Sequence, residues 1–559
     1  MDVDIRMEML NDSPRHPHRE SSEPAFTLDH VRMAILEEMD SARFSWFQVK
    51  VCIVAGVGFF TDAYDIFTIS IAVVMIGLVY PGKECNNLVQ SWGYKMGNTD
   101  ELLIKLGTPL GNLCGQLAFG WLADVLGRKR MYGYELIIII VSTFGQAVAG
   151  NSPGISIYVL LFVWRFGMGL GIGGDYPLSA ILASEFAAKR YRGRMMTAVF
   201  AAQGWGTLTA ALAAVIITEG YSGNSTNNNV FRCPEDPSDH TNLTFIDPMW
   251  RLLVGFGCVP AAIALYFRLT IPETPRFSMD VEGDLSQAFH DIRMDVLRSD
   301  SDSNTATKSE APRHNIRVPR ATWKDFRAYF GQSGNSKLLF ATAYCWFALD
   351  VAYYGLGLNQ PAILQYIGQV DPDTQDVHKY LSSIATANLI VVAAGQLPGY
   401  WVTFFLIDAW GRKPIQYLGF AATAAIFLTM GLAYEKLIDT KPVFVFFYLL
   451  ANFFFNFGPN VTTFIIPGEV FPTRYRATGH GISAASGKLG AVIAQIIFHL
   501  VSEHDNLNSK RKTIKISFII FSVFMLTGVG ATYLLPETKQ KSLEELSNED
   551  QDTFVQGST

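Results

Sequence analysis

The sequence predicts an all-α membrane protein with twelve transmembrane helices in two pseudo-symmetric six-helix bundles. The chain of 559 residues is 49% hydrophobic and only 17% charged, which leaves more apolar surface than a soluble core could hide. Apolar stretches of about twenty residues, the length needed to cross a ~30 Å hydrocarbon layer, recur along the chain. Sequence motifs repeat at a constant shift, which indicates that the two halves are duplicated.

Six apolar spans are predicted in each half, and a polar connection separates the halves. The predicted spans lie at residues 50–78, 104–124, 130–149, 156–183, 195–218, 250–270, 337–367, 381–407, 413–434, 442–466, 478–502 and 514–535. The predicted domains are an N-terminal tail 1–47, a first bundle 48–270, a linker 271–336, a second bundle 337–536 and a C-terminal tail 537–559. No apolar stretch precedes the first span, so we expect no cleaved signal peptide. We expect both tails and the linker to lie in the cytoplasm.

Basic residues in short loops test this topology, because Lys and Arg favour the cytoplasmic side. Most clusters agree, whereas the predicted outer loop with Lys510–Lys512 disagrees. The long predicted outer loop contains two N-x-S/T acceptors, Asn224 and Asn242, which are available for glycosylation only if they face the lumen. Cys85 and Cys233 fall in the two outer loops and are a candidate disulfide pair. The basic clusters on the cytoplasmic side are Arg128–Arg130, Lys189–Arg194, Arg412–Lys413 and Arg474–Arg476.

An internal repeat supports the division into halves. The run DVLGRK at Asp124–Lys129 recurs as DAWGRK at Asp408–Lys413, and EFAAKRYR at Glu185–Arg192 recurs as EVFPTRYR at Glu469–Arg476, both shifted by 284 positions. Because six is an even number of spans, both copies have the same membrane orientation, with an axis along the membrane normal. A substrate cavity is therefore expected between the halves.

The repeated motifs place opposite charges at short spacing on the cytoplasmic side. Such groups form charge-assisted pairs, and we expect them to latch a cytoplasmic gate when the outside is open. The alternative is that they only anchor the topology, although acidic residues contribute little to topology. The residues of the predicted gate are Asp124, Arg128, Glu185, Arg192, Asp408, Arg412, Glu469 and Arg476.

Ionisable residues inside the apolar spans mark candidate functional positions, because burying a charge in lipid costs about 2.5–3.5 kcal/mol on insertion scales. Three aspartates lie in spans of the first half, and one aspartate and one lysine lie in spans of the second. A purely structural role, with each aspartate buried and protonated, is the alternative. These residues are Asp62, Asp65, Asp175, Asp350 and Lys488.

The two D-x-x-G-R-K turns, the duplicated six-span halves and the PETPR run at Pro272–Arg276 resemble the major facilitator superfamily. Within it, GGDYPLSAILASE at Gly173–Glu185 resembles the phosphate:proton symporter family of fungi and plants. The resemblance covers about residues 45–545. It implies the major facilitator fold, a plasma-membrane location and proton-coupled symport of inorganic phosphate by alternating access, with phosphate bound at the midplane between the halves.

The same resemblance assigns individual residues. It gives Asp62, Asp65 and Asp175, with Asp350, to proton coupling and Lys488 to charge balance. Because a buried carboxylate repels an anion, we expect Asp350 to be protonated while phosphate is bound, so that proton and phosphate bind cooperatively. The phosphate contacts implied are Tyr176, Gln203, Trp346, Asp350, Tyr354 and Asn460.

Other classes of function are disfavoured. The spread charge lacks the basic face of a nucleic-acid binder, the cysteines lack metal-ligand spacing, and no cofactor is implied. The glycines Gly169, Gly171 and Gly174 match GxGxxG but lie inside a span, so they predict no dinucleotide site. No catalytic constellation indicates an enzyme. Two alternatives remain: a transporter of another anion or of an organic phosphate ester, and a phosphate-sensing receptor with little transport.

Overall fold

The computed structural model describes residues 36–37, 40, 44–80, 96–221, 245–269, 274–278, 322–366, 376–502 and 507–547. The candidate glycosylation sites Asn224 and Asn242 and the cysteines Cys85 and Cys233 lie outside these ranges. In the first half the helices are α1 Trp46–Val79, α2 Asn98–Leu126, α3 Arg128–Val148, α4 Ile157–Glu185, α5 Arg192–Gly220, α6 Ile246–Gly255, α7 Cys258–Arg268 and the short α8 Pro275–Phe277.

In the second half a π-helical turn at Val392–Gln396 joins two helices of one span. The helices are α9 Trp323–Gly331, α10 Ser333–Gly357, α11 Gln360–Tyr366, α12 Val377–Val391, α13 Leu397–Trp410, α14 Arg412–Leu432, α15 Tyr434–Asp439, α16 Lys441–Asn456, α17 Pro459–Val470, α18 Arg476–Ser502, α19 Leu507–Thr532 and α20 Leu543–Ser547. Helices α9 and α20 lie in the segments predicted as linker and tail, and the domain boundaries themselves stay a prediction.

Helices occupy all twelve predicted span positions, and ten of these described segments are long and apolar enough to cross a membrane. The two less apolar segments are α2 and α10, the second and seventh spans. Both are long, at 29 and 25 residues, but they carry more polar side chains, including the buried Lys105, Asn112 and Gln116 of α2 and Asp350 of α10. Polar residues are tolerated at membrane depth where a helix faces protein or a cavity.

The two halves meet through a pair of equivalent contacts. Helix α2 packs on α18, and α5 packs on α12 and α13, so span 2 meets span 11 while span 5 meets span 8. A six-span shift converts one contact into the other. Close approach of α2 and α18 requires glycine at Gly120, where a Cβ atom would lie 2.8 Å from the carbonyl oxygen of Ala477. This arrangement is the pseudo-twofold relation expected from the sequence repeat.

Both copies of the D-x-x-G-R motif form the same turn between consecutive spans. Gly127 has φ 99° and Gly411 has φ 105°, a backbone conformation that residues other than glycine rarely adopt. Helix α2 ends at Leu126 and α3 begins at Arg128, just as α13 ends at Trp410 and α14 begins at Arg412. One glycine therefore reverses the chain and brings the motif's aspartate and arginine to the same side of the membrane.

Candidate functional site

A buried ion pair lies at the interface between the two halves. Lys488 Nζ of α18 lies 2.8 Å from Asp350 Oδ2 of α10 and donates to Tyr354 Oη at 3.0 Å. Asp350 and Tyr354 are four residues apart, so they share one face of α10. The family resemblance assigned Lys488 to charge balance, and in the structure its partner is Asp350.

Side chains of the first half complete this group from the opposite side. Gln203 Nε2 of α5 donates to Tyr176 Oη of α4 at 3.0 Å. The ammonium of Lys488 lies 5.0 Å from the centre of the Tyr176 ring, which is within cation–π range. The rings of Tyr176 and Trp346 are 6.3 Å apart. Five of the six predicted phosphate contacts are thus linked to Lys488: Tyr176, Asp350 and Tyr354 directly, and Gln203 and Trp346 through Tyr176.

Asn460, the sixth predicted contact, belongs to an adjoining polar group. Its Nδ2 donates to Tyr400 Oη at 2.9 Å and to Asn456 Oδ1 at 2.6 Å. The ring of Phe200 connects the two groups, since its centre lies 6.5 Å from the Tyr176 ring and 6.2 Å from the Tyr400 ring. Sequence reasoning missed Tyr400 and Asn456, because a tyrosine and an asparagine in apolar spans carry no charge that would single them out.

The whole group is closed to solvent. None of these seven side chains is more than 5% exposed. The surrounding donors are an ammonium, two phenols, two primary amides and an indole, and the one acid is Asp350. Such a set of donors is suited to a small oxyanion with several acceptor oxygens, provided that the charge of Asp350 is neutralised. The seven residues are Tyr176, Gln203, Trp346, Asp350, Tyr354, Asn460 and Lys488.

A second cluster of buried charges lies within the first half. Arg268, at the end of α7, forms ion pairs with both Asp175 of α4 and Glu135 of α3. The other oxygen of Asp175 accepts a 2.5 Å hydrogen bond from Ser179 Oγ. Asp62 of α1 lies in the same electrostatic environment, yet neither of its oxygens has a hydrogen-bond partner among the described residues. Sequence reasoning identified the two aspartates but missed Arg268 and Glu135.

Asp65 lies one helical turn further along α1, in a different environment. It accepts a hydrogen bond from Thr143 Oγ1 at 3.1 Å, and the charge of Arg165 acts on it. Arg165 itself donates to the Ile104 carbonyl oxygen at 3.0 Å and to Gln146 at 3.3 Å. The four predicted proton-coupling residues therefore lie in three places: Asp62 with Asp175, Asp65 by itself, and Asp350 beside Lys488. Among the described residues, no hydrogen bond or ion pair joins Asp65 to the predicted phosphate contacts.

The first-half gate motif crosses to the second half. Asp124 accepts hydrogen bonds from the backbone of Ala477 at 3.3 Å and of Thr478 at 2.8 Å, both in the first turn of α18. Thr478 Oγ1 also donates to Asp124 at 2.8 Å. Glu185 pairs with Arg476 across the halves at 2.9 Å and with Arg128 in its own half at 3.5 Å.

The second-half motif mirrors this contact. Asp408 accepts a hydrogen bond from the backbone of Arg194 at 2.9 Å, in the first turn of α5. Arg412 binds Asp408 at 2.9 Å and forms a two-pronged pair with Glu469, at 2.8 and 3.2 Å. Each half thus supplies an aspartate that caps a helix of the other half. Seven of the eight predicted gate residues thus form two clusters, Asp124, Arg128, Glu185 and Arg476 in one and Asp408, Arg412 and Glu469 in the other.

The last predicted gate residue, Arg192, departs from this symmetry. Its guanidinium binds Asp40 at 3.1 Å and the carbonyl oxygen of Lys541 at 3.0 Å, so it contacts the segments before the first span and after the last. Arg276 of the PETPR run binds the same Asp40 at 3.1 Å and Glu544 of α20 at 3.0 Å. Burial alone would raise the pKa of Glu544, but the Arg276 charge prevails and lowers that pKa to about 2.

A polar contact also joins the halves on the opposite side of the phosphate-contact group. Lys105 Nζ of α2 donates to Asn359 Oδ1 at 2.8 Å and pairs with Glu101. Asn359 Nδ2 donates to Gln495 Oε1 at 3.1 Å, and Gln495 Nε2 donates to the Tyr354 carbonyl oxygen at 2.8 Å. Sequence reasoning missed Lys105 because it lies at the border of the predicted second span.

Sequence comparison identifies relatives along nearly the whole chain. A family described as "Sugar (and other) transporter" matches residues 51–549. The chain is 45% identical over 527 residues to the repressible high-affinity phosphate permease of Neurospora crassa, covering 93% of this chain and 89% of the relative. It is 43% identical over 539 residues to the inorganic phosphate transporter PHO84 of Saccharomyces cerevisiae, covering 93% and 87%.

Solved structures with the same fold are more distant in sequence. The proton:xylose symporter XylE bound to 6-bromo-6-deoxy-D-glucose superposes with a TM-score of 0.66 at 18% identity, covering 90% of this chain and 99% of the symporter. Inward-open XylE superposes with a TM-score of 0.57 at 19% identity, covering 89% and 99%. These structures show the fold. The family match over residues 51–549 and the two fungal relatives show that the chain is an integral membrane protein of the major facilitator superfamily and belongs to its phosphate:proton symporter family.

Proposed function

We propose that the protein imports inorganic phosphate together with protons, by alternating access around a site between its two halves. The observation that carries this proposal is the buried Lys488–Asp350 pair, enclosed by phenol, amide and indole donors from both halves. A lysine supplies a point charge for an oxyanion, while the neutral donors satisfy the remaining oxygens. The names of the most similar relatives supply the substrate, inorganic phosphate.

Proton coupling follows from competition for one cation. The Lys488 ammonium is 2.8 Å from Asp350, so a phosphate anion and this carboxylate compete for the same charge. Protonation of Asp350 removes the competing anion and frees Lys488 to bind phosphate. Loss of that proton on the inner side restores the ion pair and expels phosphate. Proton and phosphate binding are therefore mutually reinforcing, as linkage requires.

Contacts on both sides of the site support alternating access. Cytoplasmic closure rests on Asp124, Asp408 and the Glu185–Arg476 pair, and closure at the other end rests on Lys105 with Asn359. A transporter must break one set of contacts while it keeps the other. We propose further that the protein works in the plasma membrane, with both termini in the cytoplasm.

The proposal is tested by uptake of radiolabelled phosphate into proteoliposomes under an imposed inward proton gradient. Wild-type protein is compared with Asp350→Asn and with a matched control, Asp376→Asn, which alters an exposed helix cap. Gradient-dependent uptake that resists sulfate, persists in the control and is lost in Asp350→Asn is the expected result. Uptake that ignores the gradient contradicts proton coupling. Tight phosphate binding without any flux favours the phosphate-sensing receptor.

A further inference from the structure

The buried charges of the first half are unequal in number. Asp62, Asp175 and Glu135 are completely buried, and Arg268 is 2% exposed. If all three carboxyls were ionised, the single guanidinium would leave an excess of two negative charges in a region that water does not reach. An unpaired buried ion costs several kcal/mol, so at least one of these carboxyls is neutral in the closed state.

Geometry distinguishes the three carboxyls. Arg268 forms ion pairs with Asp175 and Glu135, and Ser179 donates to the second oxygen of Asp175. Asp62 receives no hydrogen bond or ion pair from any residue the structure describes. A neutral carboxyl without a partner costs about 1–3 kcal/mol, which is less than an unpaired charge costs. Asp62 is therefore the carboxyl that carries a proton when the transporter is closed.

The charged groups around Asp62 come from four helices, α1, α3, α4 and α7. Asp175 of α4 and Glu135 of α3 face it as acids, Asp65 lies on its own helix, and Arg268 of α7 is the cation. Asp62 also acts electrostatically on Tyr176 of α4 and Tyr354 of α10, both predicted phosphate contacts. The guanidinium of Arg268 lies 4.0 Å from the centre of the Tyr132 ring, which fixes its plane from the remaining side.

Gly58 makes room for this arrangement. It lies one helical turn before Asp62 on α1, and a Cβ atom there would overlap the Arg268 guanidinium and Asp175 Oδ2. Gly56, on the same helix, has no such restriction, since a Cβ atom would meet Ala202 Cβ at an ordinary 3.5 Å. The two glycines therefore offer a matched pair of alanine substitutions, of which only one displaces Arg268.

We propose that Arg268 is a positioning residue for proton coupling: it pairs with Asp175 and Glu135 and thereby leaves Asp62, which has no partner among the described residues, as a carboxyl that takes up and releases a proton in addition to the one on Asp350. This inference rests on the proposed function. Asp62 gains its proton when the site opens to the acidic side and loses it when the site opens to the cytoplasm. Arg268 limits how tightly that proton is held, because its positive charge opposes protonation of the group.

The test uses the full-length protein in proteoliposomes with two readouts. Gradient-driven phosphate uptake requires proton release, whereas phosphate counterflow at equal pH on both sides does not. The variants are Arg268→Gln, Arg268→Lys and Gly58→Ala, with Gly56→Ala as control. Each is measured across a range of pH, and folding is checked by size-exclusion chromatography in detergent.

Arg268→Gln is expected to retain counterflow, whereas its gradient-driven uptake at neutral pH falls about tenfold. The pH profile of that uptake is expected to move upward by about one unit, since one unit is a tenfold change in proton affinity. Arg268→Lys keeps the charge and is expected to keep the wild-type profile. An unchanged profile in Arg268→Gln overturns the inference, as does equal loss of uptake and counterflow in both Arg268 variants.

Gly58→Ala decides the question if Arg268→Gln does not fold. Displacement of Arg268 is expected to move the pH profile upward, while Gly56→Ala keeps the wild-type profile. A wild-type profile in Gly58→Ala overturns the inference. Failure of the wild-type protein to take up phosphate under a proton gradient refutes the proposed function instead, so the two failures are distinguishable.

Discussion

Removal of the Asp124 charge is expected to open the cytoplasmic gate. Asp124 accepts three hydrogen bonds from α18, two from backbone amides and one from Thr478 Oγ1. Asparagine keeps a carbonyl acceptor but loses the charge. Hydrogen bonds to charged groups contribute about 1.5–3 kcal/mol and neutral ones about 0.5–1.5 kcal/mol, and the charge also favours the helix N-terminus. Asp124→Asn therefore destabilises the closed gate by about 2 kcal/mol.

A change of this size shifts the ratio of closed to open molecules by about 30-fold, because 1.4 kcal/mol corresponds to a factor of ten. The assay is double electron–electron resonance in nanodiscs, with spin labels at Arg130 and Pro414. Both positions are exposed, and they are equivalent positions just after the two D-x-x-G-R-K motifs, on the side of the protein that we propose faces the cytoplasm. Opening of the gate separates the two labels. The fraction of molecules with the longer label-to-label distance is therefore expected to increase in Asp124→Asn.

The control is Asp376→Asn, because Asp376 caps its own helix through the amides of His378 and Lys379 and joins no other element. An unchanged distance distribution in Asp124→Asn refutes the view that this cap holds the gate. An equal shift in the control variant refutes it as well, because the effect would then follow from any lost helix cap.

Three further predictions concern other buried contacts. Lys488→Gln leaves the Asp350 carboxylate unpaired and is expected to destabilise the protein by about 3–5 kcal/mol in thermal unfolding. Adding Asp350→Asn to this variant is expected to restore stability but not proton-coupled uptake. Equal stability of the single and double variants contradicts this prediction. Lys105→Met breaks the contact with Asn359 and is expected to speed outside labelling of a cysteine in the site, and an unchanged rate argues against an outer gate. The pKa of Glu544 is about 2 in the folded protein, below its ordinary value of 4.5, so its ion pair with Arg276 persists above pH 4.5 and is lost only as the pH falls toward 2. Hydrogen exchange of α20 is therefore expected to stay slow from pH 7 to pH 5 in the wild type and to be faster in Glu544→Gln. Faster wild-type exchange at pH 5 than at pH 7 refutes this prediction.

Much of the fold follows from the sequence, because apolar length and the 284-residue repeat are both local signals. The two D-x-x-G-R turns were predicted as tight, and each contains a glycine with positive φ. Hydropathy is weakest for α2 and α10, whose polar side chains face protein instead of lipid. A threshold on mean hydropathy alone therefore misses the two spans that carry Lys105 and Asp350.

The site was only partly predictable, since charge inside an apolar span is visible in sequence but its partner is not. Asp350 and Lys488 were both identified. Because 138 residues separate them, the sequence does not show which of the four intramembrane aspartates pairs with Lys488. Arg268 lies at the end of its span, where an arginine is typical of a cytoplasmic anchor. Only the packing of α7 against α1 and α3 turns it inward to Glu135 and Asp175.

The reciprocal capping of α18 by Asp124 and of α5 by Asp408 has a consequence for how the chain arose. It is the pattern of an isologous dimer, in which one surface patch is used twice about a twofold axis. A single six-helix unit with this motif already contains everything needed to close on a second copy of itself. What fusion into one chain adds is asymmetry: Asp40 and Glu544, from the two ends of the chain, contact the arginines of only one side.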